Sequence, residues 1–415
     1  MKNVVYKFGG AALKSADSIK NIEQIIAQFR PKLVVVSAMA KTTNAFENLV
    51  EAQLSGQNTE PYLDKIRRFH QEIISGLFEE EKNEAEDNLN KVLDYCKAYL
   101  KHSKNTSYDE IYDQIVPAGE LISSKILGAY LQKKGHKLNW LDARKILKTD
   151  NRFRKATPDI VFSKAELVNQ LNEASTNLIQ GFIGGTENNL MTTIGREGSD
   201  YSAALFANFT DAEELVVWKD VDGVLNADPR YFNAPNLIPN MSYKEAIELS
   251  YYGATIIHPK TIQPLVEKNI PLRVRSFQNT ENEGTTIDST TEFDGSKAIY
   301  IYKPNQLLIT LESEDLSFFG ESKMSEIYHS LFEHKLEVNL VQNSAVNCSI
   351  CIDNDPHKTS TLIEEFAKKF KVKYNENLEL LTVRHYQAKL LEELLLNKDL
   401  IIEQKTRSTL KLLFK

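Results

Sequence analysis

Between Val4 and Ser276 short apolar runs alternate with stretches of helical periodicity, and no other feature narrows the fold as much. The run Leu33-Val34-Val35-Val36 has no polar position, which marks a strand covered on both faces in a parallel sheet. Residues 4–8, 138–141, 178–183, 190–194, 214–218 and 271–276 read as further strands. Helices fall between them. Ser15 is placed to cap one whose Ile19, Ile22, Ile25, Ile26 and Phe29 share a face. The pattern predicts an α/β domain with a doubly wound, mainly parallel sheet. At 415 residues the chain is longer than a single core sustains, so a second domain is expected.

In open α/β sheets ligands collect beyond the carboxyl ends of the strands, and the polar signals of this chain fall there. Residues 192–208 pass from a strand end through Gly195, Arg196, Gly198 and Asp200 into an Ala-rich helix, with Ser199 or Asp200 expected at its cap. Unpaired N–H groups at a helix start favour an anion. Arg196 offers a planar fork for a carboxylate or phosphate, and Asp200 can accept from an ammonium group. Such a loop suits a zwitterionic amino acid beside a phosphate donor; a capped surface helix after a Gly turn reads equally well. Lys7 before Gly9-Gly10 makes a phosphate cradle that is not a Walker loop. Residues 37–44 follow another strand end, with the hydroxyls of Thr42 and Thr43 as binding candidates or simple caps. Glu120, close to a helix start, reads as a dipole partner. Asp220, Asp222 and Arg230 suit a nucleotide's phosphates and metal, or only turn chemistry. His258 has no catalytic company in sequence and reads as structural. Residues 61–115 read as an inserted, solvent-facing helical lobe without chemistry.

A net charge of −7 argues against nucleic acid or an anionic membrane as partner. No apolar run reaches membrane-span length and no signal-peptide core opens the chain, so the expected location is the cytoplasm. Cys348 and Cys351 form a C-x-x-C, yet their neighbours alternate as in a strand, which puts the two thiols on opposite faces. No metal-ligand set is expected.

Read together, the motifs resemble those of aspartate kinase, in the amino-acid-kinase superfamily. They run in order through Lys7-Phe8-Gly9-Gly10, Ser37-Ala38-Met39 with Lys41-Thr42-Thr43-Asn44, and Gly119-Glu120 with Ser123-Ser124. Thr193-Ile194-Gly195-Arg196, Gly198-Ser199-Asp200-Tyr201 and Asp220-Val221-Asp222-Gly223-Val224 continue the series. Ala227-Asp228-Pro229-Arg230, Tyr252-Gly253-Ala254 and His258-Pro259-Lys260-Thr261 close it. The resemblance implies a catalytic domain over residues 1–285 that transfers the γ-phosphoryl group of ATP to the β-carboxylate of L-aspartate, with Mg²⁺. It assigns Lys7, Gly9, Gly10 and Asp200 to catalysis, and Thr43, Glu120, Arg196, Gly198 and Ser199 to the substrate. Lys7, Ser37, Lys219, Asp220, Arg230 and Thr255 fall to ATP. Ala11 and Ala12 depart from the family's usual Thr-Ser, Lys219 from a threonine, and Thr255 from a frequent lysine. Glu197 stands where glycine is common. These departures leave open an alternative, a weakly active or non-catalytic regulatory paralogue.

Past a polar stretch over residues 278–296, the order β-α-β-β-α over residues 297–370 looks like an ACT domain, the regulatory module of aspartate kinases. A shortened second copy is expected from residue 378, with a helix over residues 386–396 and strands near 400–405 and 409–414. The resemblance implies a homodimer through this region and an amino-acid effector. Lysine-sensing members carry Val-Asp and a Ser-Glu turn where this chain has Val338-Asn339 and Ser344-Ala345, so weak or absent lysine inhibition is expected.

Overall fold

The computed structural model describes residues 2–79, 83–103, 105–254, 257–289, 298–315, 317–387 and 398–415. They form two compact units, the first comprising Met1–Val224, Leu237–Ile247 and Thr255–Phe293. Its eight-stranded sheet runs Leu138–Trp140, Thr176–Gln180, Pro31–Val36, Lys2–Phe8, Glu214–Lys219, Leu272–Ser276, Thr285–Asp288 and Asn240–Ser242 in spatial order. The first six are parallel neighbours. Thr285–Asp288 pairs antiparallel with Leu272–Ser276, so a strand follows the one expected to be last. It lies within the stretch read as polar linker.

The four central strands are buried along most of their length, as their apolar runs require. Trp218 is fully buried among Tyr6, Phe8 and Phe29. Register sets the working edge: Phe8 lies opposite Val36 and Trp218, Val36 opposite Gln180, and Lys219 opposite Ser276. The carboxyl ends of five strands are therefore level. The chain steps outward on one side through Pro31–Val36 and Thr176–Gln180, then returns to add Glu214–Lys219 on the other. Lys2–Phe8 and Glu214–Lys219 flank the resulting crevice, where such sheets bind ligands.

Helices Glu60–Leu77, Glu84–His102 and Tyr108–Ile115 make the inserted lobe. Each buries an apolar stripe, including Leu63, Ile66, Leu89, Leu93 and Ile111. No helix among the described residues is long and apolar enough to cross a membrane.

The second unit comprises Leu225–Asn236, Glu248–Ala254 and Asp294–Lys415. Its six-stranded antiparallel sheet has the order Val338–Asn343, Asn347–Asp353, Ile299–Glu312, Lys371–Arg384, Thr409–Phe414, Leu400–Lys405. Helices Glu321–Glu333 and Pro356–Phe366 cover one face through Ile327, Leu331, Leu362 and Phe366. The other face encloses Leu308, Leu340, Leu378, Leu380 and Leu413. Cys348 lies in the first of these cores and Cys351 in the second, so the thiols do face apart. The sheet curls until its ends meet: Gln404 Nε2 donates to Val341 O at 2.5 Å and Lys411 Nζ to Asn339 O at 2.7 Å. The helix expected over residues 386–396 falls almost wholly outside the described residues; Tyr386 and Gln387 are not helical.

Candidate active site

At the level strand ends lies a cleft of about 290 Å³ lined by Lys7, Gly10, Ser37, Ala38, Ala40, Thr43, Glu120, Phe182, Glu197, Gly198, Ser199 and Asp200. Each side chain reaches it for a local reason. Lys7 is the penultimate residue of its strand, where alternation turns it toward the cleft. Gly9 and Gly10 then lead into a short 3₁₀ turn, Gly10–Leu13. A Cβ on Gly10 would lie 2.8 Å from Ala40 O and 2.9 Å from Ala38 O, so only glycine lets the two loops touch. Ala40 N closes the contact by donating to Gly10 O at 3.0 Å.

Helix Thr42–Leu54 begins at the first of the two threonines. Thr42 is buried and donates to Met39 O at 2.5 Å, which spends its hydroxyl on the turn; Thr43 is the one that lines the cleft. Ser123 Oγ donates to Ser37 O at 2.6 Å and fixes that loop to helix Ala118–Lys133.

Helix Gly198–Phe209 is preceded by Glu197, whose left-handed φ of 52° explains why glycine suits this position. The expected cap at Ser199 or Asp200 is thus corrected: the helix begins sooner, and both residues sit in its first turn. The turn is packed too closely for a side chain at residue 198, where a Cβ would meet Phe182 Cδ2 at 2.5 Å.

Electrostatics follow from burial. Lys7 Nζ forms an ion pair with Asp200 Oδ1, both residues being buried. Burial alone would raise the Asp200 pKa, but the ammonium groups of Lys7 and Lys219 outweigh it and hold the carboxyl below its usual range. Glu120 behaves in the opposite way. It is buried, its Oε2 has no hydrogen-bond partner, and burial pushes its pKa up to about 8 against the pull of Lys7.

The remaining predicted residues divide. Lys219, at the end of its strand, acts on Asp200 through its charge. Gly9 sits beside Lys7 Nζ. Arg196 is exposed on the loop and does not line the cleft. Asp220 is exposed. Arg230 belongs to the second unit, where its Nη2 donates to Asp228 Oδ2 at 2.5 Å. Thr255 lies outside the described residues. His258 is structural: its Nδ1 accepts from Lys260 N and caps helix Pro259–Val266. Ala38, Ala40 and Phe182 escape sequence reading because they carry no polar group.

The model of the family described as "Amino acid kinase family" matches residues 2–276. Lysine-sensitive aspartokinase 3 of Escherichia coli (strain K12) is 30% identical over 392 residues, covering 92% of this chain and 86% of the relative. The chain belongs to the amino acid kinase family, among its aspartokinases. Aspartokinase of Chlamydia pneumoniae is also 30% identical, over 83% of this chain and 77% of its own. The structure of E. coli aspartokinase III with lysine and aspartate superposes with a TM-score of 0.84 at 28% identity, covering 99% of this chain and 95% of that one. Its complex with aspartate and ADP gives a TM-score of 0.82. As an aspartokinase, the chain is a kinase of amino-acid biosynthesis with the amino-acid-kinase fold and an ACT-like antiparallel region.

Proposed function

We propose that the cleft transfers the γ-phosphoryl group of ATP to the side-chain carboxylate of L-aspartate, giving 4-phospho-L-aspartate at the entry to lysine, threonine and methionine synthesis. One observation carries this reading: the Lys7–Asp200 ion pair sits in a cleft with Glu120, Thr43 and Ser199, at the level strand ends. Phosphoryl transfer needs alignment and charge neutralisation more than covalent help. Lys7 answers the charge on the transferring group, with the Gly9-Gly10 backbone beside it. No general base is required, since a side-chain carboxylate is already ionised at neutral pH. Asp200 holds the Lys7 ammonium in place through their ion pair.

On the substrate side, Glu120 faces the ammonium group and Arg196, on its exposed loop, closes on the α-carboxylate. Thr43, Gly198 and Ser199 add donors. Ser37 stands at the transfer point, and Lys219 and Asp220 extend the site toward the nucleotide. Among the described residues no group of three or more His, Cys, Asp and Glu is arranged to hold a metal. Mg²⁺ would come in on the nucleotide phosphates, its usual mode, with the chain supplying surrounding charge.

A coupled ADP-release assay with aspartate tests the reading. Lys7→Ala is expected to lower kcat by about 10²- to 10³-fold, as when a preorganised charge partner is lost. A wild-type chain that releases no ADP would favour the non-catalytic alternative raised by Ala11 and Ala12. Full activity in Lys7→Ala would remove Lys7 from the transfer step.

A further inference from the structure

The inserted lobe is not without a part in the site. Strand Met191–Thr193, which delivers the Ile194–Gly195–Arg196 loop, pairs on one edge with Ile183–Gly185. Among the described residues no strand lies beside its other edge. There, Gln114 supplies what a strand would: its Nε2 donates to Met191 O at 2.8 Å and its Oε1 accepts from Met191 N at 3.1 Å. One residue before, the Asp113 carboxylate accepts from Thr193 N at 2.8 Å and from Thr193 Oγ1 at 2.8 Å. It also accepts from Arg154 N at 2.9 Å, while Ala156 N donates to Thr193 O at 3.0 Å. Asp113 is fully buried, so a lost bond would leave a buried polar group unsatisfied.

We propose that Asp113, with Gln114, is a positioning residue: its carboxylate stands in for a missing strand and fixes the loop that carries Arg196 to the substrate. The inference rests on the aspartate-kinase reading of that loop. Two side chains of helix Tyr108–Ile115 hold alternate residues of the strand, so the helix sets both the height and the direction in which the loop leaves the sheet. Both backbone donors, Thr193 N and Arg154 N, converge on Oδ2, while Oδ1 takes the Thr193 hydroxyl. An amide could keep its oxygen on the two N–H groups and donate to that hydroxyl, so alanine is the substitution that removes all three bonds. Phosphate-side residues Lys7 and Gly10 are held elsewhere, by the central strand and the Ala38–Ala40 contact.

Steady-state kinetics of the full chain test this, with Asp113→Ala as the first variant. The expected result is a rise of about tenfold or more in KM for aspartate, with KM for ATP within about twofold of wild type. A purely structural role would instead lower the active fraction, reducing kcat and leaving both KM values unchanged; that outcome overturns the proposal. Where Asp113→Ala does not fold, Thr193→Val removes a single one of the three bonds and is expected to shift KM for aspartate in the same direction by a smaller factor. No shift in Thr193→Val overturns the proposal likewise. Arg196→Ala separates the two readings. If it leaves KM for aspartate untouched while Asp113→Ala raises it, the role given to Arg196 fails and the positioning role stands. If Arg196→Ala raises KM and Asp113→Ala does not, the reverse holds.

Discussion

Glu120 is a carboxyl group that burial keeps mostly protonated at neutral pH, with its pKa pushed up to about 8. A protonated acid is a poor partner for an ammonium group, so its proposed role requires ionisation before or during substrate binding. The sign follows: kcat/KM for aspartate is expected to rise by up to about tenfold per pH unit below about 8 and to flatten above it. In Glu120→Gln this limb should vanish and the plateau should fall. A wild-type profile flat across that range would separate Glu120 from the ammonium. The same group acts on stability in the opposite sense, because the folded state holds a proton that the unfolded state releases near the ordinary value of 4.5. Its contribution is fully present below that value and is lost as pH rises through about 8. Asp200, three residues into its helix, has the contrary shift, because two ammonium groups offset the same desolvation.

At the scale of elements, the phosphate-side turn and the loop after strand Pro31–Val36 act as one piece, since Gly10 lies against two carbonyl oxygens of the other loop. Gly10→Ala must push them apart by several tenths of an ångström, and displacements of that order at a reacting centre cost up to about 10²-fold in rate. A fall in kcat of about 10- to 100-fold is expected, while circular dichroism and melting stay close to wild type because the central strands are untouched. An unchanged kcat would show that the two loops move independently. Elements whose burial is written in composition were legible beforehand: Leu33-Val34-Val35-Val36 has nothing polar to place outside, and Ser15 caps its helix as read. The start of helix Gly198–Phe209 was not, because Glu197 takes a left-handed turn normally signalled by glycine. Strand Lys371–Arg384 was recognised only from residue 378, since most of 371–377 is exposed and polar and its apolar alternation stops after Val372 and Tyr374. Within the cleft, Lys7, Glu120 and Asp200 were found through motifs. Asp113 was not, because its three partners lie 41 and 80 residues away and leave no local signal.

For the molecule as a whole, the expectation of weak or absent lysine inhibition falls on the antiparallel unit. Strand Val338–Asn343 is where the lysine-sensing pattern would put a carboxylate, and here Asn339 is neutral. Its surroundings are already supplied with ammonium groups. Lys303 Nζ donates to Asn339 Oδ1 at 2.8 Å, and Lys411 Nζ to Asn339 O at 2.7 Å. Asp353, the acidic group of this cluster, accepts from Gln306 and Asn339 and lies 3.9 Å from Lys303 Nζ. Burial, with Lys303 adding to it, pushes the Lys411 ammonium pKa down. A cationic effector arriving at this strand would add a third ammonium to two that are fixed by hydrogen bonds, and like charges at such separations repel. Initial rates are therefore expected to be unaffected by lysine at about 10 mM, roughly ten times a millimolar Kd. A neutral or acidic amino-acid effector escapes this repulsion, so threonine belongs in the same assay as the comparison. Half-inhibition by lysine below about 1 mM would show that an effector's ammonium is held by groups other than this strand.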